Sequence, residues 1–459
     1  MKASALRERL DGPVDQAAAF EALFAGERYA FWLDRGRSGV SLMGSAGSGA
    51  SVVTASVTSG TLTRLDATGA VNETRRQSIF SFLRQEQSNR SLDVGASGWV
   101  GWIGYEVGVD ALGLPAAASR YPDAALMRFD RSVAFDANSI TVTAEGGEAG
   151  REWMSAAVMA LRRLRHEPET VEPPAAVGLE QIAAGSWRHS DDDYIAMVRA
   201  CQEAIVRGDA YVLCLTNELR IPLKVDAFAA YRALRAMNPT SLGGIVRTGD
   251  LWLVSASPEQ FLRVTADGVV TTKPVKGTRP RGVDEAEDAR LRAELVASEK
   301  ERAENLMIVD LMRNDLTRVA RLGTVEVTRL LEVETYASVH QLVSTVRAQL
   351  DDGKVAIDAV ESCFPAGSMT GTPKRSAISI LGGLERGPRG IYSGCFGLFF
   401  ANGSIDVSMV IRSMIVDQTE VSIGAGGGVT SLSIPEEELA EVKLKARLIA
   451  AAAQASAFH

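Results

Sequence analysis

Trp252-Leu-Val-Ser-Ala-Ser-Pro-Glu-Gln-Phe-Leu-Arg-Val-Thr-Ala-Asp-Gly-Val-Val-Thr-Thr272 places two strand-like runs, Trp252–Ser255 and Gly268–Thr272, in close succession with no helical pattern between them. Working outward, Gly394–Phe400 and Glu420–Ile423 read as further strands, and helical patterns lie near 287–314, 373–383 and 436–453. Strands and helices both occur, but not in the regular βαβα alternation of a doubly wound parallel sheet. The pattern predicts an α+β fold: a two-lobed single large unit, with antiparallel sheets packed as a sandwich and helices outside. The first 150 residues add short apolar runs between Gly/Ser turns, at Tyr29–Leu33, Val52–Val57, Trp99–Ile103 and Ser139–Val142. A Leu-, Met- and Arg-rich helix over Ala156–Leu164 follows. The acidic, proline-broken stretch 166–174 is the best linker candidate. It separates an N-terminal region, 1–170, from a second unit, 185–455, whose first helix opens at Asp191-Asp-Asp193 and runs to about Arg207. That acidic first turn suits the positive end of a helix dipole. No repeat with a period of 20–50 residues is present.

The chain has 459 residues, is 46% hydrophobic and 23% charged, and contains 42 Gly and 15 Pro, a composition ample for large cores. Forty-nine basic against 57 acidic side chains give a net charge of −8, which argues against a broad nucleic-acid surface and leaves room for a local anion pocket. Cys201, Cys214, Cys363 and Cys395 are widely separated, so neither a zinc site nor a disulfide framework is expected. No apolar run reaches the 18 or more residues of a membrane span, and the N-terminal residues lack a secretory pattern. A soluble, cytoplasmic protein is expected, with no nucleic-acid or membrane partner.

Several motifs carry candidate chemistry. Gly44-Ser-Ala-Gly-Ser-Gly49 lacks the Gly-Lys-Ser/Thr ending of a phosphate loop and reads as a turn. Gly424-Ala-Gly-Gly-Gly428 follows a strand; it is either a plain turn or a run of open backbone suited to a carboxylate. On a helix, Glu301 and Glu304 share a face, as do Glu438 and Glu441. Two such pairs could hold Mg²⁺ through few direct contacts plus water, or could simply be solvated. Lys273-Pro-Val-Lys-Gly-Thr-Arg-Pro-Arg281 holds four cations. Lys276, before Gly277, is a candidate nucleophile whose pKa neighbouring cations would lower. Glu259, at the end of an apolar strand, is a candidate general acid. Thr372-Pro-Lys374 reads as an N-cap, a first-turn Pro and a helix, an arrangement able to receive an anion. His340, in an apolar segment, reads as a satisfied structural histidine.

The order and spacing of these motifs resemble the chorismate-utilising enzymes, a family that includes anthranilate synthase large subunits, aminodeoxychorismate synthase component I, and the isochorismate and salicylate synthases. The resemblance runs through Ser257-Pro-Glu-Gln-Phe261, Gly277-Thr-Arg-Pro-Arg-Gly282, the segment 302–315 and Val339-His-Gln-Leu342. It continues through Phe364-Pro-Ala-Gly-Ser-Met-Thr-Gly-Thr-Pro-Lys374, Gly390-Ile-Tyr-Ser-Gly394 and the glycine run at 424–428. Phe31-Trp-Leu-Asp34 and Gly98-Trp-Val-Gly-Trp-Ile-Gly-Tyr-Glu106 resemble the family's N-terminal region. Pro274-Val-Lys-Gly-Thr278 carries a lysine where anthranilate synthases usually carry alanine, and so points to the aminodeoxychorismate branch. The segment Tyr211–Thr216 lacks the water-activating lysine of isochorismate-type members. Cys214 and its neighbours also depart from the Tyr-Gln-Val-Asn-Leu of many relatives. Arg35 stands where many relatives have Ser, so tryptophan inhibition is not expected.

The resemblance implies an anthranilate synthase-like fold, in which 1–170 resembles the N-terminal region and 185–455 the chorismate-binding catalytic domain. It implies Mg²⁺ on Glu304 and Glu441, with Glu301 and Glu438 as outer partners. Lys445 would bind the ring carboxylate of chorismate. Tyr392, Arg412, Gly426 and Gly427 would bind its enolpyruvyl carboxylate. Lys276, flanked by Gly277 and Thr278 at the substrate, would attack C2 while Glu259 protonates the departing hydroxyl; His340 would stand near the enolpyruvyl group as a third catalytic residue. Ammonia would then give 4-amino-4-deoxychorismate for 4-aminobenzoate and folate synthesis. All four cysteines fall in synthase-like sequence, so ammonia is expected from a separate glutamine amidotransferase subunit. The alternatives are an anthranilate synthase large subunit of tryptophan synthesis and a non-catalytic partner of an amidotransferase.

Overall fold

A computed structural model describes residues 5–36, 39–47, 49, 51–88, 98–165, 185–336 and 339–458. The linker candidate at 166–174 lies outside them. Among the described residues two sheets of twelve strands face each other, and every strand pairing within them is antiparallel. Both sheets draw on the two ends of the sequence. In one, Tyr29–Leu33 pairs with Gly244–Thr248; in the other, Gly98–Ile103 pairs with Cys395–Phe400.

Period-two alternation explains the layering. Tyr29, Phe31 and Leu33 enter the core between the sheets, where Val100, Trp102, Phe129 and Phe396 meet them. Ala30 and Trp32, on the opposite face, pack beneath helices together with Phe20, Phe228 and Tyr231. All five residues of that strand are therefore buried, as the uninterrupted run Tyr-Ala-Phe-Trp-Leu requires. A third core lies where Ile308, Met312 and Leu316 pack against Phe364 and Val346.

The expected strands are found, most with ends shifted by one or two residues. Val52–Ser56, Gly98–Ile103, Ser139–Ala144, Leu251–Ser255 and Val269–Thr272 are examples. The helix expected at 156–164 begins earlier, at Glu148. Three readings require correction. The helix expected over 287–314 is two helices, Glu285–Ala297 and Glu299–Thr317. Ser298 is extended there, and its hydroxyl accepts from the Glu301 N–H at 3.5 Å, capping the second helix. Gly44 belongs to the strand Ser41–Ser45 rather than a turn, because its bare Cα lets Arg131 and Phe31 approach. Pro373, not Thr372, is the N-cap of Lys374–Glu385. Lys374 there forms a buried pair with Asp315 at 2.6 Å and donates to the Cys363 carbonyl at 2.9 Å, which ties this helix to Glu299–Thr317.

Candidate active site

The long strands Val212–Ile221 and Val421–Val429 lie side by side, with Cys214 opposite Gly428 and Thr216 opposite Gly426. The glycine run is thus strand, not turn. Pairing with an apolar neighbour overrides the weak strand tendency of glycine, and the missing side chains leave a floor that other groups can approach. A Cβ at Gly428 would lie 3.3 Å from Glu304 Oε2 and 3.7 Å from Lys276 Nζ; one at Gly427 would lie 2.9 Å from Glu438 Oε2 and 3.9 Å from Glu441 Oε1. Carboxylates from Glu299–Thr317 and from the C-terminal helix Pro435–Gln454 therefore converge over two bare Cα atoms.

The Gly426 carbonyl accepts from Lys445 Nζ at 2.7 Å, so this residue turns its backbone groups away from Val212–Ile221. Ladder alternation turns those of Gly427 toward that strand. Gly426 can thus offer its N–H to the pocket, whereas the contribution of Gly427 is its missing side chain.

Each of the four sequence-predicted carboxylates meets a cation. Glu304 pairs with Lys276 at 3.6 Å, Glu441 with Lys445 at 2.5 Å, Glu438 with Lys300 at 3.2 Å, and Glu301 with Arg279 at 2.9 Å. Burial raises the Glu304 pKa against the pull of Lys276 and Lys300; at Glu441, Lys445 and the other lysines outweigh burial and lower it. Glu301 keeps its second oxygen, Oε2, buried and without a hydrogen bond. Gly277 makes room for that carboxylate, since a Cβ at its φ of +85° would strike Glu301 Cδ at 2.7 Å. Among the described residues no three carboxylates, imidazoles or thiols form a ready metal cluster. The donor set, two clustered acids with an orphaned oxygen nearby, still fits a hard cation held through few carboxylates and water.

Sequence adjacency predicts cations around Lys276, and the structure reverses this. Lys273, Arg279 and Arg281 pair instead with Glu334, Glu301 and Asp288. Burial lowers the Lys276 pKa, but Glu304, Cys214, Glu259 and Glu441 more than offset it, so the net shift is upward. Its neighbour across the pocket, Glu259, is 7% exposed and accepts from Ser368 Oγ at 2.8 Å. Burial pushes this carboxyl up to about 7, with the Ser368 hydrogen bond and the charge of Lys276 opposing.

Tyr392 lies against the bare Cα of Gly424, and Arg412 adopts φ +51° beside it. Among the described residues neither the Tyr392 hydroxyl nor the Arg412 guanidinium has a hydrogen-bonded or ion-paired partner, so both are available to an anion. Burial lowers the Arg412 pKa. Thr278 is exposed on the strand Val275–Pro280. His340 is placed differently: its ring nitrogens meet Thr335 Oγ1 at 2.9 Å and Asp288 Oδ1 at 3.0 Å, outside the carboxylate cluster. Sequence reasoning missed Arg279 and Ser368 as neighbours of this cluster, and it set Lys300 beside Glu304 on one helix rather than against Glu438 on another. Ser368 lay inside a quoted motif, but nothing in its sequence context pointed to Glu259.

The chorismate binding enzyme profile matches residues 30–451. An aminodeoxychorismate synthase of Streptomyces pristinaespiralis is 40% identical, across 95% of this chain and 63% of the relative. One from Streptomyces griseus is 39% identical, across 94% and 62%. The crystal structure of anthranilate synthase component I from Streptococcus pneumoniae TIGR4 superposes with a TM-score of 0.72 at 25% identity, covering 93% of this chain and 92% of that one. The chain spans about three fifths of the length of the two Streptomyces relatives.

Proposed function

Because the chain belongs to the family of chorismate binding enzymes, we propose that it aminates chorismate to 4-amino-4-deoxychorismate, as an aminodeoxychorismate synthase component I. The observation that carries this reading is that Lys276 pairs with Glu304 and neighbours Glu259, while Arg412 and Tyr392, unpaired among the described residues, are available for a substrate carboxylate. Two names among the relatives support it.

In this reading Arg412, Tyr392 and the Gly426 N–H hold the enolpyruvyl carboxylate, and Lys445 holds the ring carboxylate. Glu304 and Glu441 are the residues that would hold Mg²⁺, with Glu301 and Glu438 behind them. Bound there, the metal would neutralise and orient the ring carboxylate. Lys276 is an ammonium among carboxylates and must shed a proton before it attacks; Glu304, at 3.6 Å, is a carboxylate in contact with it. A bond then forms from Nζ to C2, the ring double bonds shift, and the C4–O bond breaks. Glu259 gives the leaving hydroxyl its proton, so that water departs. Ammonia adds at C4, the double bonds shift back, and the Nζ–C2 bond breaks to free Lys276. The step is divided in two, as in other covalent catalysis. Ammonia would come from a glutamine amidotransferase, and 4-aminobenzoate and folate synthesis would lie downstream.

The structural likeness to an anthranilate synthase component I favours a second reading, in which the same scaffold eliminates pyruvate to yield anthranilate. A chromatographic assay with chorismate, Mg²⁺ and ammonium separates the two. Release of 4-aminobenzoate only after addition of an aminodeoxychorismate lyase supports the first reading; anthranilate formed without the lyase establishes the second.

A further inference from the structure

Glu259 does not stand alone at the pocket. Its Oε1 takes the Ser368 hydroxyl, and Ser368 sits in the 3-10 turn Gly367–Met369. The next carbonyl, that of Met369, accepts from Arg389 Nη1 at 2.5 Å. Arg389 is almost wholly buried and uses every donor of its guanidinium. Nε and Nη2 grip Glu385 at 2.8 and 2.7 Å, Nη2 also reaches the Cys214 carbonyl at 2.8 Å, and Nη1 also faces Ser393 Oγ at 3.4 Å. The guanidinium lies 4.4 Å over the Tyr105 ring. Behind it, Glu106 accepts both the Arg389 and Gly390 N–H groups, at 2.8 and 2.9 Å.

We propose that Ser368 is the positioning residue of Glu259, and that Arg389 fixes Ser368 from behind through the Met369 carbonyl. The proposal rests on the reading of Glu259 as the acid that protonates the departing hydroxyl. A free carboxyl turns about its last torsion and presents either oxygen. With Oε1 held by Ser368, Oε2 is left to face substrate. Ser368 can hold it only if its turn is rigid, and a guanidinium with all its hydrogen bonds made gives that turn a fixed anchor. Among the described residues, the side chains that act on the Glu259 carboxyl are Ser368 and the Lys276 ammonium.

Steady-state kinetics of the full chain with chorismate, Mg²⁺ and ammonium test this, using Ser368→Ala, Ser368→Thr, Glu259→Gln, Arg389→Lys and the doubles. Ser368→Ala is expected to lower kcat about 10-fold with KM little changed, the scale of one hydrogen bond to a charged group. Its alkaline limb should move to higher pH, because a donor to the carboxylate is lost; Ser368→Thr should restore both. In the Glu259→Gln background Ser368→Ala should cost less than about twofold, because the two residues act as a unit. Arg389→Lys should lower kcat and add little to Ser368→Ala. Wild-type kcat and pH profile in Ser368→Ala, or an undiminished cost on top of Glu259→Gln, overturns the proposal. Full additivity of Arg389→Lys with Ser368→Ala overturns the part assigned to Arg389. A fully active Glu259→Gln is a different failure: it removes the acid reading itself.

Discussion

Lys276 Nζ and Glu304 Oε2 meet at 3.6 Å over the bare Cα of Gly428. The contact joins the proposed nucleophile to the helix that carries Glu301 and Glu304, so in the proposed reading nucleophile and metal-holding carboxylates are parts of one structure. Lys276→Ala should therefore remove both the covalent step and the partner of Glu304. Formation of 4-amino-4-deoxychorismate should fall at least about 100-fold, and some anthranilate could emerge. The lyase-coupled assay checks this, and undiminished activity would remove the nucleophile role.

Glu304 faces the pocket from Glu299–Thr317 while Glu441 faces it from the C-terminal helix, so neutralising one should weaken the pair. Glu304→Gln should move the Mg²⁺ activation curve to higher concentration and lower turnover with it. An unchanged Mg²⁺ titration would return these carboxylates to the role of charges that balance Lys276 and Lys300.

Burial holds the Glu259 pKa at about 7, and an acid must carry its proton to act. At a fixed concentration of uncharged ammonia, kcat/KM should be full below pH 7 and decline as pH rises through it. Glu259→Gln should abolish that limb and lower kcat by two to four orders of magnitude, roughly the range for a general acid. Chorismate affinity, read by fluorescence titration, should change little. A selective loss of binding would make Glu259 a substrate-binding group instead.

Much of this arrangement was legible in the chain. The run Tyr29–Leu33 predicts a strand, which the structure buries on both faces, and Ser190 before three aspartates marks a helix start that the structure caps with a Ser190 hydroxyl. Ser298 with Glu301 three residues later carries the same capping signature; a reading by apolar period alone runs the two helices together across it. The environment of Lys276 was not legible. Its sequence neighbours are cations, but Lys273, Arg279 and Arg281 are each taken up by a separate acid, Glu334, Glu301 and Asp288. Glu304 and Glu441, which face Lys276, arrive from distant helices. The glycine run likewise reads equally as a turn or as open backbone until Val212–Ile221 is placed beside it.

Glu106 makes a prediction about stability rather than rate. Its carboxyl is 3% exposed, and burial lifts its pKa from 4.5 to about 7, against the two N–H groups it accepts. A carboxyl raised in the folded state binds its proton more tightly there than in the unfolded chain. Its contribution to stability is therefore complete below about pH 4.5 and lost as pH rises through 7. The shift corresponds to about 3 kcal/mol. Urea denaturation at pH 5 and pH 8 should show wild type losing more stability across that interval than Glu106→Gln. Equal losses would mean that Glu106 is ionised throughout.

Gly424→Ala probes the other end of the pocket. The Cα of Gly424 lies so close to Tyr392 that an added Cβ would come within 2.1 to 2.6 Å of the ring. The strand is paired along its length with Val212–Ile221 and cannot retreat, so the ring must move. Tyr392 stands beside Arg412, and displacing it should weaken the hold on a carboxylate while leaving Lys276 and Glu259 in place. The expected result is a KM for chorismate raised about 10-fold or more, the scale of a hydrogen bond to a charged group, with kcat changed far less. A variant with wild-type KM and reduced kcat would place Tyr392 with the reacting centre rather than with the carboxylate.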